Sequence, residues 1–222
     1  MARLNFKIEM LRKLGFTGAM FATTATGWTM GNSRLNFYEE EASTKYLLAK
    51  PEVKDYLKRL EAKGFEQIES RKSWLLESHR KYMFTQAVLT GPMRLHPEGP
   101  ITLKNPETDE IVNIFHVGAE LKDSDHFKST CTTLFDECLA QAAFTKLPNH
   151  VGVTANLKLG PVQDLPNGED IVALHALPTS SKGRKVETEG TITSLVSDKV
   201  LAKGSALLVE PKWGKYVAWL AL

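Results

Sequence analysis

The sequence predicts an α+β domain in its C-terminal half, a mainly antiparallel sheet curved around one long helix. Three observations predict it. From Pro100 onward, β-rich runs alternate with turn residues. One strongly patterned helix interrupts them, with runs on both sides of it in sequence. The apolar stripe of that helix is wide, so a sheet must cover it nearly all round.

The first β element is the hairpin ITLKN-PETDE-IVNIFHVG, two β-rich runs around polar turn residues. The helix follows over 127–145. Phe127, Cys131, Leu134, Phe135, Cys138, Leu139, Ala142 and Ala143 recur at steps of three and four. Four more strands come after it: VGVTANLKL, DIVALHAL, KVETEGTITSLV and KVLAKGSALLVE. Ser197-Asp198 joins the last two. On a strict two-residue period, Val151, Val153, Ala155, Leu157 and Leu159 share one face of the first of these. Thr154 and Asn156 then share the other.

Upstream of the domain at 100–222, the chain divides at about 36. Residues 1–36 begin basic, with Arg3, Lys7, Arg12 and Lys13 against Glu9, and then carry no charge from Leu14 to Ser33. A stretch of about 20 residues is just long enough to span a bilayer, although this one is rich in Thr and Gly. A mitochondrial presequence, a single-span membrane anchor and a soluble helix packed on the domain all fit; a secretory signal fits poorly. Residues 37–99 read as a helical extension that wraps the core. Ser43-Thr44 stands as a helix start, Pro51 as a break, and Gly64 as the end of EVKDYLKRLEAKG.

Composition excludes several classes. A net charge of +2 without a basic run or interleaved aromatics gives no case for a nucleic-acid partner. Cys131 and Cys138 lie seven apart on one helix, about 10 Å along its axis, which is too far for a disulfide. No His or Cys clustering has metal-ligand spacing.

Four segments, FHVG, TLFDE, LPNHVGVTANL and SSKGRK, make the chain resemble the hot-dog fold acyl-CoA thioesterases, especially a eukaryotic, mostly mitochondrial branch with an N-terminal extension. The resemblance covers about half the chain, and Val153-Thr-Ala-Asn-Leu157 is its most specific part. It implies acyl-CoA as substrate, with no cofactor beyond the coenzyme A of that substrate. It also implies a homodimer or higher oligomer. By resemblance, Asp136 is the catalytic carboxylate, acting as base towards water or as nucleophile, and Thr154 positions the water. Counted on a helical wheel, Asp136 lies about 120° from the centre of the apolar stripe, where it can face a cleft. Main-chain N–H groups of Ser129, Thr130 and Cys131 are the expected oxyanion donors. Asn156 is placed beside the substrate, and Lys182, Arg184 and Lys185 meet coenzyme A phosphates.

One departure bears on the chemistry. The family enters its helix through a His-Gly-Gly loop, and here those positions hold Phe127, Lys128 and Ser129. His126 stands one residue early as the candidate imidazole. Losing one oxyanion donor typically costs 10²–10³ in rate, about 2.7–4 kcal/mol. Two functions are therefore expected: an acyl-CoA thioesterase, or a non-catalytic hot-dog module that binds acyl-CoA or lipid or serves as a structural subunit of a mitochondrial complex. Either is expected in the mitochondrion, anchored in the inner membrane if residues 14–33 span it.

Overall fold

The structure is a computed structural model that describes residues 42–68, 89, 94–95, 100–166 and 170–214. The basic start and the uncharged 14–33 stretch lie outside the described residues. Among the described residues, no helix is long and apolar enough to cross a membrane.

Among the described residues, seven strands form one antiparallel sheet: β1 (Glu66–Ile68), β2 (Ile101–Lys104), β3 (Ile111–His116), β4 (Val153–Leu159), β5 (Ile171–Lys182), β6 (Lys185–Ser194) and β7 (Val200–Val209). Their spatial order is β1-β2-β3-β5-β6-β7-β4. Among the described residues, two short helices precede β1: α1 (Ala42–Ala49) and α2 (Pro51–Glu61). The long helix α3 (Ser124–Phe144) lies between β3 and β4 in sequence, and the strand that follows it is placed at the far edge, beside β7. A curved sheet around one central helix, with this strand order, is the hot-dog fold. The predicted class is the one the chain adopts.

Helix and sheet are held together by a single apolar cluster. Phe127, Cys131, Leu134, Phe135, Cys138, Leu139, Ala142 and Ala143 are all buried there, against Ile111, Leu174, Val186, Ile192, Ala206 and Leu208 of the sheet. Two glycines admit the helix. A Cβ at Gly190 would lie 2.9 Å from Leu139 Cδ2, and one at Gly204 would lie 3.0 Å from Phe135 Cδ1. Absence of a side chain at these sites lets the aromatic ring rest directly on the strands.

The opposite face of the sheet is covered on its β2-β3-β5 side by α1 and α2. Leu47, Val53 and Leu60 pack there on Leu103, Val112, Ile114 and Ala173. Pro51 opens α2 at a position where its missing N–H removes nothing from the helix. Gly64, at φ 80, reverses the chain after it. Two features differ from expectation. Ser43 and Thr44 fall inside α1 rather than capping a helix, and after the helix end at Gly64 the three-residue strand β1 adds to the sheet from the extension at 37–99. Polar contacts fasten the helices. The Tyr56 hydroxyl bonds His175 Nε2, and His175 Nδ1 lies 2.6 Å from Glu110 Oε1. Tyr46 stacks edge-on against His116, whose Nε2 is 3.3 Å from Asp170.

Candidate functional site

Asp136 is exposed and follows the buried Phe135 on α3. The opposite flank of the helix is fixed to β3, because Gln141 Oε1 accepts a 3.2 Å bond from Asn113 Nδ2. Five residues separate Gln141 from Asp136, about 140° around the helix. Asp136 therefore faces away from β3.

On β4 the register decides which side chains face the helix. Thr154 pairs with the buried Leu208, and Leu157 pairs with Ala206, so both share the helix-facing side. Between them Ala155 is an extra residue in a bulge, and Asn156 pairs with Leu207 on the outer side. The strict alternation expected from the sequence is thus broken at one residue. Thr154 and Asn156 lie on opposite faces, not on a shared one. Asn156 instead lines a shallow polar concavity of about 290 Å³ on the outer face, with Lys158, Glu187, Glu189 and Ser205.

The start of α3 corrects a second expectation. The helix begins at Ser124, with Asp123 as its cap accepting a 3.0 Å bond from the Asp125 N–H. Phe127 N–H already donates to Asp123 O at 2.7 Å. Ser129, Thr130 and Cys131 therefore lie inside the helix, where each N–H is directed at the carbonyl four residues earlier. They are not free to bind an oxyanion. Thr130 and Cys131 are also buried, and the Ser129 hydroxyl is bonded to Asp125 O at 3.0 Å. Phe127 points into the core rather than towards Asp136. His126 is exposed in the first turn, ten residues and roughly 15 Å along the axis from Asp136, so the two do not meet.

Lys182, Arg184 and Lys185 are exposed at the tip of the β5-β6 hairpin. Lys185 is paired with Val209, five residues along β7 from Gly204, where Phe135 packs. The cations thus lie roughly 17 Å down the sheet from the level of Asp136. Arg184 donates to Glu210 O at 3.2 Å. Glu210 is buried, and its carboxylate accepts from both the main chain and the side chain of Asn149. Among the described residues, no group of His, Cys, Asp and Glu is arranged to hold a metal. Both cysteines are free and buried. Burial pushes the Cys131 thiol up to about 12 and Cys138 well above its ordinary value, so neither is a nucleophile at neutral pH.

The His175–Glu110–Tyr56 chain had no signal in the sequence. Its members are 65 and 119 residues apart and meet only through the β3-β5 register and the docking of α2.

No family model matches the chain. Among curated proteins it is 30% identical over 232 residues to the UPF0644 protein PB2B4.06 of Schizosaccharomyces pombe, covering 97% of this chain and 88% of that one. It is 34% identical over 151 residues to an uncharacterized mitochondrial protein of Candida albicans, covering 65% and 67%. It is 31% identical over 169 residues to MIOREX complex component 3 of Saccharomyces cerevisiae, spanning 62% of that protein's length. Among solved structures, a thioesterase-like protein of Syntrophus aciditrophicus matches at TM-score 0.43 and 12% identity, over 62% of this chain and 94% of that one. The PaaI protein of Escherichia coli matches at 0.39 and 13%, over 45% and 75%. These last two likenesses are of fold alone.

Proposed function

We propose, from the premise that this chain belongs to the family of the fungal UPF0644 protein PB2B4.06, that it is a hot-dog module without hydrolytic activity, serving as a subunit of a mitochondrial assembly. The observation that carries this reading is the unbroken run of α3 from Ser124, which commits the main-chain donors at 129–131 to the helix. Without a donor aimed at the carbonyl oxygen, a thioester carbonyl beside Asp136 has nothing to hold its developing charge. The names of two relatives agree with it, one mitochondrial and one a complex component. Their mitochondrial setting is carried to this chain as part of the proposal, and inner-membrane anchoring is left to residues 14–33. The edge of β4, which no other described strand pairs, is where a second copy would add, giving a homodimer through a continuous sheet.

A second reading keeps the enzyme. Asp136 is exposed on the flank turned from β3, and Thr154 faces the helix side of β4. Acyl-CoA hydrolysis with Asp136 as base and Thr154 holding the water would use that geometry. The test is release of free thiol from a panel of acyl-CoAs by the full chain and by Asp136→Ala. Turnover that disappears in the variant ends the module reading. No turnover in either, with the native protein migrating in a large mitochondrial assembly, supports it.

A further inference from the structure

Residues at one end of the sheet form a row distant from Asp136, and its lysines are those that the family resemblance assigns to coenzyme A phosphates. Val153, Val209, Lys185 and Lys182 are consecutive cross-strand partners on β4, β7, β6 and β5, facing away from α3. Lys182 and Lys185 are directly opposed like charges, an arrangement that destabilises a hairpin. The two-residue link of Gly183 and Arg184, with Gly183 at φ 58, keeps their backbones paired. The segment after β7 is brought to the same end. Glu210 N–H bonds Arg184 O at 2.8 Å, and the turn at 211–214 closes through Gly214 N–H to Pro211 O at 2.8 Å. That turn presents Lys212, which is exposed, and Trp213, which is 37% exposed.

Four cations, Lys182, Arg184, Lys185 and Lys212, therefore surround this end, with the aliphatic Val153 (48% exposed) and Trp213 among them. None of the four makes an ion pair in the described residues. The acid at this end, Glu210, is buried and bonded to Asn149. On the outer face the next acid, Glu187, stands one outward-facing row further in. Clustered cations of this kind are complementary to an anionic surface. The exposed aliphatic and indole groups beside them suit an apolar boundary as well.

We propose that this end of the sheet docks on an anionic lipid bilayer. Lysines and Arg184 meet headgroup phosphates, while Trp213 and Val153 enter the boundary between headgroups and acyl chains. A bilayer satisfies both requirements together, whereas a nucleic acid offers Val153 no apolar phase. The inference is independent of whether the domain hydrolyses thioesters.

The test is sedimentation of the full chain with vesicles of phosphatidylcholine, with and without phosphatidylglycerol. Each basic group near such a surface contributes about fivefold to binding, so Lys182→Ala/Lys185→Ala is expected to lower partitioning into the anionic vesicles by roughly 25-fold. Trp213→Ala is expected to weaken binding to both compositions while keeping the preference for the anionic one. Raising the salt from about 0.1 M to 1 M is expected to reduce the wild type to the level of the double variant. Binding that the double variant leaves unchanged, even with residues 14–33 present in both proteins, overturns the proposal. So does displacement of the protein from vesicles by RNA at equal phosphate concentration, which would assign the surface to nucleic acid.

Discussion

Seating of α3 on the sheet depends on two missing side chains, and Gly190→Ala tests it. An added Cβ would lie 2.8 Å from His175 O, 2.9 Å from Leu139 Cδ2 and 3.1 Å from Phe135 Cε1. The two side chains have some freedom, but the carbonyl does not, because β5 and β6 are paired on either side of it. Overpacking of this kind costs about 1–3 kcal/mol. Alanine recovers roughly 0.5–1 kcal/mol, since glycine loses more chain entropy on folding. The net expectation is a loss of about 0.5–2 kcal/mol. With a urea dependence of about 2 kcal/mol per molar, the midpoint falls by roughly 0.25–1 M. Urea unfolding followed by far-ultraviolet circular dichroism on the full chain measures it. Gly183→Ala is the control: nothing lies within 4 Å of its Cβ, and only its φ of 58 opposes the change. That substitution is expected to cost about 1–2 kcal/mol through the backbone alone. A Gly190→Ala midpoint equal to or above wild type would mean that the helix does not rest on β6 as described.

Cys131 and Cys138 are the chain's two cysteines, and burial raises both thiols, that of Cys131 to about 12. Iodoacetamide at pH 8 is expected to label neither until denaturant is added; stoichiometric native labelling would refute this burial. Burial raises the Asp109 carboxyl, but hydrogen bonds from Lys104 and Lys146 outweigh it and hold it below the ordinary carboxylate range. Its contribution is therefore present above about pH 4 and lost as pH falls through the lowered value. Asp109→Asn should cost about 1 kcal/mol at pH 7 and progressively less as pH falls below about 4, read from urea midpoints across that range. Tyr56 is pushed up to about 12, chiefly by burial. Tyr56→Phe should remove a tyrosinate step near pH 12 from an ultraviolet titration and lower stability by about 1 kcal/mol through the lost bond to His175.

The helix and the strands from Pro100 onward were legible because their signal is local. Stripe residues such as Leu134 and Cys138 repeat within a turn, and each strand carries its own alternation. The site was less legible, for reasons that are equally physical. A bulge leaves the composition of VTANL unchanged yet moves Asn156 to the outer face, because only pairing with β7 reveals the extra residue. The helix start was misplaced because Asp123, not a glycine loop, caps it, and the apolar period begins only at Phe127. Contacts such as Asn149 with Glu210, 61 residues apart, exist only once the sheet is closed.

The same helix start connects stability with chemistry. A main-chain N–H bonded to a carbonyl four residues back cannot also hold a developing oxyanion, and backbone groups buried in a helix are seldom left unpaired. By extending α3 back to Ser124 and capping it with Asp123, the chain gains hydrogen bonds in the segment where the resembling thioesterases keep a glycine loop open. Asp125 adds a negative charge in the first turn, which suits the positive end of the helix dipole but repels an approaching carboxylate or thioester oxygen. Freeing a donor at 129–131 would require breaking the first turn and a half of the helix, so on the module reading proposed above Asp136 alone does not suffice for the reaction.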